Sequence, residues 1–180
     1  IYVDKTKYIR DLIKLERVFI SRPRRFGKSL TLDTIATLFE TGVEPYFKGT
    51  WIYDKWTEPT YPVLRLNFLN FDKNSIEKFN NKLNSKITEF AELNHVTTFK
   101  EKEEAEDSID HLLEQLRLEG RQIVILIDEY DCQMTANINN ETLYKQFQEK
   151  IKSFYANIKD KFAIKFLGIT GVTRLKDVSI

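Results

Sequence analysis

With 180 residues, 42% hydrophobic and 31% charged, the chain has the composition of one globular domain with a sizeable core, not of a disordered tail. A formal net charge of +1 gives no global case for a nucleic-acid or membrane partner, and no apolar run nears the ~18 residues of a membrane helix. The single cysteine, Cys132, excludes an internal disulfide and fits a reducing cytoplasm, so the sequon at Asn140 carries no weight.

Tyr2 to Thr6 has no chemistry that the residues disclose; it is expected to lead an N-terminal helix onto the domain. Val18 to Ser21 is a short apolar run that ends in a turn rich in Pro and Gly. From Ser29 to Phe39, Leu30, Leu32, Ile35, Leu38 and Phe39 mark an amphipathic helix that ends near Gly42. Pro62 to Phe68 reads as a second strand. Asn74, with Glu77 three residues on, is a helix-start pattern, and Ile76, Phe79, Leu83, Ile87 and Phe90 line the buried face of that helix. A further helix is predicted from about Ser108 to Glu119, stopping at Gly120. Ile123 to Ile127 is aliphatic throughout, as a strand covered on both faces of a parallel sheet would be. Leu143, Phe147, Ile151, Phe154 and Ile158 give another amphipathic helix, and Phe162 to Thr170 one more buried strand. Strand and helix alternate, which predicts crossover units in an α/β sandwich. The chain opens at Ile1 and stops after an apolar strand, so residues 1–180 are expected to be one domain of a longer protein.

Residues 21–29 read Ser-Arg-Pro-Arg-Arg-Phe-Gly-Lys-Ser. A phosphate-binding loop has Gly, four residues, then Gly-Lys-Ser or Gly-Lys-Thr between a strand and a helix. Gly27, Lys28 and Ser29 match, whereas Arg22 stands where the first glycine would be. The chemistry survives that change, because amides at a helix N-terminus still face an anion favoured by the helix dipole. Lys28 would bridge the β- and γ-phosphates of a nucleotide, and the Ser29 hydroxyl would ligate Mg²⁺. The plain alternative is a chance Gly-Lys-Ser, which the flanking strand and helix disfavour.

The aliphatic run at Ile123 delivers Asp128 and Glu129 at its carboxyl end, where ligands of open α/β sheets sit. Asp128 would hold magnesium together with Ser29, and Glu129 would polarise the attacking water as general base. Alternatively, Asp128, Glu129 and Asp131 merely solvate a turn. Thr170 ends the strand expected between the loop strand and the acidic strand, so it is a candidate sensor of the γ-phosphate or the water, or equally a strand-end threonine satisfied by backbone. Arg174 is a weaker candidate for charge stabilisation, in cis or from a neighbour, which leaves a homo-oligomer open. Arg24 and Arg25 either contact phosphates or pair with Glu129, Asp131 or a partner domain.

His95 and His111 stand far apart with no ligand-spaced neighbour, which argues against a zinc site. Cys132 lacks a nearby base and reads as buried filler. Trp51, Tyr53 and Trp56 are expected against the core, with stacking on a base or partner as the alternative. The acidic run from Glu101 to Asp110 reads as a solvated face.

Together, Tyr2-Val-Asp-Lys-Thr6, Ser21-Arg-Pro-Arg-Arg-Phe-Gly-Lys-Ser-Leu30, Leu126-Ile-Asp-Glu-Tyr-Asp131 and Gly171-Val-Thr-Arg174 resemble the bacterial AAA-ATPase-like family, in order and over essentially the whole chain. The family's own loop carries arginine in place of the first glycine; its last block more often has serine where Thr173 stands. The resemblance implies a three-layer P-loop NTPase sandwich of the additional-strand class, with a mostly parallel sheet and a truncated C-terminus. It further implies a nucleotide, ATP with Mg²⁺, held by Arg24, Arg25, Phe26, Gly27, Lys28, Ser29 and Leu30. A C-terminal domain similar to restriction-endonuclease-like nucleases often follows in such proteins; nucleic acid is expected only through that domain. An ATPase is thus expected, with catalytic roles for Lys28, Glu129, Thr170 and Arg174 and metal ligation by Ser29 and Asp128. The alternative is a nucleotide-loaded switch with little turnover. A phosphotransferase is disfavoured by Glu129 and by the lack of an acceptor-base motif. Slow turnover is expected of the isolated 180 residues.

Overall fold

The computed structural model describes residues 3–21 and 27–178. Four strands, β1 (Arg17–Ser21), β2 (Val63–Asn67), β3 (Ile123–Asp128) and β4 (Ile164–Gly171), form an all-parallel sheet in the order β1-β4-β3-β2. Six helices accompany them: α1 (Thr6–Lys14), α2 (Lys28–Thr41), α3 (Ile76–Leu93), α4 (Ala105–Leu118), α5 (Cys132–Ala136) and α6 (Glu141–Ala156). The architecture is the expected α/β one, and it is consistent with a P-loop NTPase-like fold.

Alternation along β3 builds the layers. Ile123, Ile125 and Ile127 face a core shared with α3, α4, α5 and α6, whereas Val124 and Leu126 face a second core with α1 and α2. All five are buried, and each contributes about 1.5–3 kcal/mol of apolar transfer free energy. A sheet so covered must read as a continuous aliphatic run, and Ile123–Ile127 does. The chain leaves β1 into α2 on one face and leaves β3 into α5 and α6 on the other. The carboxyl ends of the strands therefore open onto a crevice between oppositely directed crossovers.

Three local expectations need correction. The cap of α3 is Ser75, whose side chain accepts from the Lys78 amide, rather than Asn74; the amides of Asn74 and Ser75 are taken by Asp72. Helix α4 starts at Ala105, three residues early, because Asn80 Oδ1 of α3 accepts the Ala105 amide at 2.8 Å. A cap from a distant helix leaves no local signature. The acidic run is likewise more than a solvated face. Lys150, 8% exposed, donates to Glu104 at 2.5 Å, Glu106 at 2.6 Å and Asn80 at 2.6 Å, which ties α3, α4 and α6 together.

The first residues hold α1 in place. Asp4 accepts the Thr6 hydroxyl and amide and the Trp51 amide, bonds that keep its carboxyl below the usual range. Buried Thr6 in turn accepts the Ile52 amide. Trp51, Tyr53 and Trp56 pack partly buried against the α1–α2 core, as expected.

Candidate functional site

Helix α2 begins at the carboxyl end of β1, and its first turn carries the motif. Gly27 is the residue before the helix, with φ +76°, a left-handed conformation that a side chain would strain, and as a glycine it offers no capping side chain of its own. First-turn amides at a helix N-terminus and the helix dipole favour an anion there. Lys28 is 5% exposed, and its Nζ donates to the carbonyl of Gly171 at the end of β4, 3.2 Å away.

Three elements converge beside it. Ser29 Oγ of α2 donates to Asp128 Oδ2 of β3 at 2.6 Å. Thr170 Oγ1 of β4 donates to the other carboxylate oxygen, Oδ1. The same Thr170 hydroxyl accepts the Glu129 amide at 3.2 Å, and the Thr170 carbonyl accepts the Tyr130 amide at 3.0 Å. Thr170 is fully buried; its hydroxyl accepts a backbone amide, as a strand-end threonine would, and it also donates to the Asp128 carboxylate. The insertion of β4 between β1 and β3 brings it there. Glu129 has φ +56°, rare for a residue with a long side chain. Such strain typically costs about 1–3 kcal/mol and gathers at functional positions.

Hydroxyl and carboxylate oxygens at hydrogen-bond distance form a hard donor set suited to Mg²⁺, which takes few protein ligands and completes its shell with water and phosphate. Among the described residues, no group of three or more His, Cys, Asp or Glu side chains could hold a metal by itself. Ser29 and Asp128 thus fit a magnesium shared with a phosphate ligand.

The segment after Asp128 was the least legible part. Asp131, 2% exposed, does not solvate a turn; it accepts the Thr173 amide at 2.7 Å and the Val172 amide at 3.1 Å. Tyr130, equally buried, donates its phenol to the Thr173 carbonyl at 2.8 Å. The signal lay in the two blocks 128–131 and 171–174, but nothing in either names the other.

The remaining expectations divide. Leu30 is 61% exposed on the first turn of α2, and Arg174 is exposed just beyond β4. Arg22, Arg24, Arg25 and Phe26 lie outside the described residues. Cys132 is buried, as expected of a filler. His111 accepts the Lys100 amide, and burial pushes its pKa down. A cleft of about 120 Å³ flanks Asp128 between α2 and β2, lined also by Asn67 and by the ion pair of Asp33 with Arg65. A wider groove of about 620 Å³ runs along α2 past Thr34 and Tyr46, away from the converging carboxylate and lysine.

The AAA-ATPase-like family model, described as "Predicted AAA-ATPase", matches residues 1–180. The chain is 34% identical over 185 residues to a protein of Azotobacter chroococcum mcd 1 described as "Uncharacterized protein in vnfD 5'region". That match covers 99% of this chain and 35% of the relative, so the chain spans about a third of the relative's length. No solved structure matches significantly. With the converging strand ends and a family match over its full length, the chain belongs to the AAA-ATPase-like family, a family of predicted ATPases.

Proposed function

We propose that this domain binds ATP with Mg²⁺ and hydrolyses it to ADP and phosphate. The observation that carries the reading is the Ser29–Asp128–Thr170 chain of hydrogen bonds, with Lys28 buried beside it at the start of α2. First-turn amides of α2 receive the β-phosphate, and Lys28 exchanges the Gly171 carbonyl for phosphate oxygens. Ser29 and Asp128 would hold the magnesium, which would supply positive charge against the phosphates. Glu129 accepts a proton from a water whose oxygen bonds to the γ-phosphorus as the β–γ bridging bond breaks and ADP departs. Thr170 keeps Glu129 and Asp128 in register through the two bonds made by its hydroxyl. Arg24, Arg25, Phe26 and Leu30 border the nucleotide in this reading, and Arg174 meets charge on the γ-phosphate.

A second reading, a nucleotide-loaded switch acting on an attached domain, rests on the buried hydrogen bond from Lys28 to Gly171, a contact that nucleotide would replace. Turnover separates the two. Glu129→Gln is expected to lower ATP hydrolysis by at least ~100-fold, within the range for a lost general base, while Mg²⁺-ATP affinity stays within about twofold. Equal turnover by both proteins, with ATP bound by each, would remove the hydrolase reading and leave the switch.

A further inference from the structure

The register of β1 with β4 reaches Ser21 opposite Gly171, and among the described residues no strand pairs with Val172 or Thr173. Their four main-chain polar groups are nevertheless all taken by side chains. Asp131 accepts both amides, Ser21 Oγ donates to the Val172 carbonyl at 3.1 Å, and the Tyr130 phenol donates to the Thr173 carbonyl. Tyr130 is itself braced edge-on by Phe19 of β1, with ring centroids 5.2 Å apart at 82°. Its ring lies so close to the turn that a Cβ on Gly171 would sit 2.4 Å from two ring carbons. Only glycine fits there.

A surface turn ordinarily gives such groups to water, and water is at hand, since Val172 is 42% exposed. Committing a carboxylate that is 2% exposed is expensive in desolvation and unnecessary for mere connection. What the arrangement achieves is rigidity at one place. The turn is preceded by Thr170, which bonds Asp128 and Glu129; its Gly171 carbonyl receives Lys28; and it is followed by Arg174.

We infer that Asp131, assisted by Tyr130, is a positioning residue that fixes the Gly171–Arg174 turn so that Arg174 meets the third phosphate of the nucleotide. The inference rests on the ATP reading above and adds the group that holds its sensing arm. Asp131 touches no reacting atom; it acts through the turn. ADP, which lacks the third phosphate, is indifferent to the turn's placement, so selectivity between ATP and ADP is the readout that a general structural role does not move.

The test uses the Glu129→Gln chain, which holds ATP without consuming it, and titration calorimetry with Mg²⁺-ATP and Mg²⁺-ADP. Adding Asp131→Asn should weaken ATP about tenfold, in line with loss of one charge-assisted hydrogen bond, and ADP by less than about twofold. Tyr130→Phe, which keeps the ring and deletes the phenol's bond to Thr173, should give the same selective loss at about threefold and guards against misfolding of the first variant. Made on top of Arg174→Ala, Asp131→Asn should change ATP affinity little further. Equal losses for ATP and ADP, no loss at all, or full additivity with Arg174→Ala would each overturn the inference while leaving the ATP site standing. Failure of the parent chain to bind either nucleotide would overturn both.

Discussion

Thr170 gathers more of the site than any other residue. Its hydroxyl donates to Asp128 and accepts from the Glu129 amide, while Glu129 sits at φ +56°. Thr170→Val keeps the shape and strips both bonds, leaving a partly buried amide unsatisfied. We expect destabilisation of about 1–3 kcal/mol by chemical unfolding, with ATP turnover falling more than ATP affinity. Unchanged turnover in a folded variant would reduce Thr170 to a packing residue. At this scale Lys28, Ser29, Asp128 and Glu129 were legible because each belongs to a short contiguous block with a known chemical need. Asp131 was not. Its partners, Val172 and Thr173, come 41 and 42 residues later, and a carboxylate near a strand end is indistinguishable in sequence from one that faces water.

Among the elements, helices declared their apolar faces but not always their ends. The buried face predicted for α3 includes Phe79, Leu83, Ile87 and Phe90, all of which are buried. The start of α4 was hidden because its cap is Asn80, twenty-five residues upstream. Likewise Glu104 and Glu106 looked like solvated charge only because Lys150 lies on another helix. Lys150→Met would leave Glu106 without its counter-ion. We expect it to cost about 3 kcal/mol at neutral pH, as removal of one member of a buried pair does. The hydrogen bond from Lys150 also holds the Glu104 carboxyl below its ordinary pKa. A lowered carboxylate pKa contributes stability above the ordinary glutamate range and loses it as pH falls through the folded value. The gap between wild type and Lys150→Met should therefore narrow in acid, which urea unfolding at neutral and acid pH would measure. A gap constant across that range would mean that the lysine acts by packing alone.

For the molecule as a whole, the alternation of apolar runs predicted an α/β sandwich, and the sheet order adds what alternation lacks. Strand β4 comes last in the chain yet lies between β1 and β3. That placement puts Thr170 and Gly171 between Lys28 and Asp128, and turns two motifs distant in sequence into one site. Aliphatic content alone does not give that order, because each buried strand is aliphatic enough for any interior position; the expectation of β4 between the loop strand and the acidic strand comes with the phosphate-loop reading, and the sheet has it there. The resemblance agrees by implying the additional-strand class. In the proposed site Lys28, at the start of α2, is the cation that holds the nucleotide's phosphates. Calorimetric titration of Mg²⁺-ATP into wild type and Lys28→Ala tests this most directly. Wild type should bind, and Lys28→Ala should lose at least ~100-fold in affinity, since the lost contact is charge-assisted and buried. Equal ATP affinity in a folded Lys28→Ala variant would rule out Lys28 as the phosphate-binding cation.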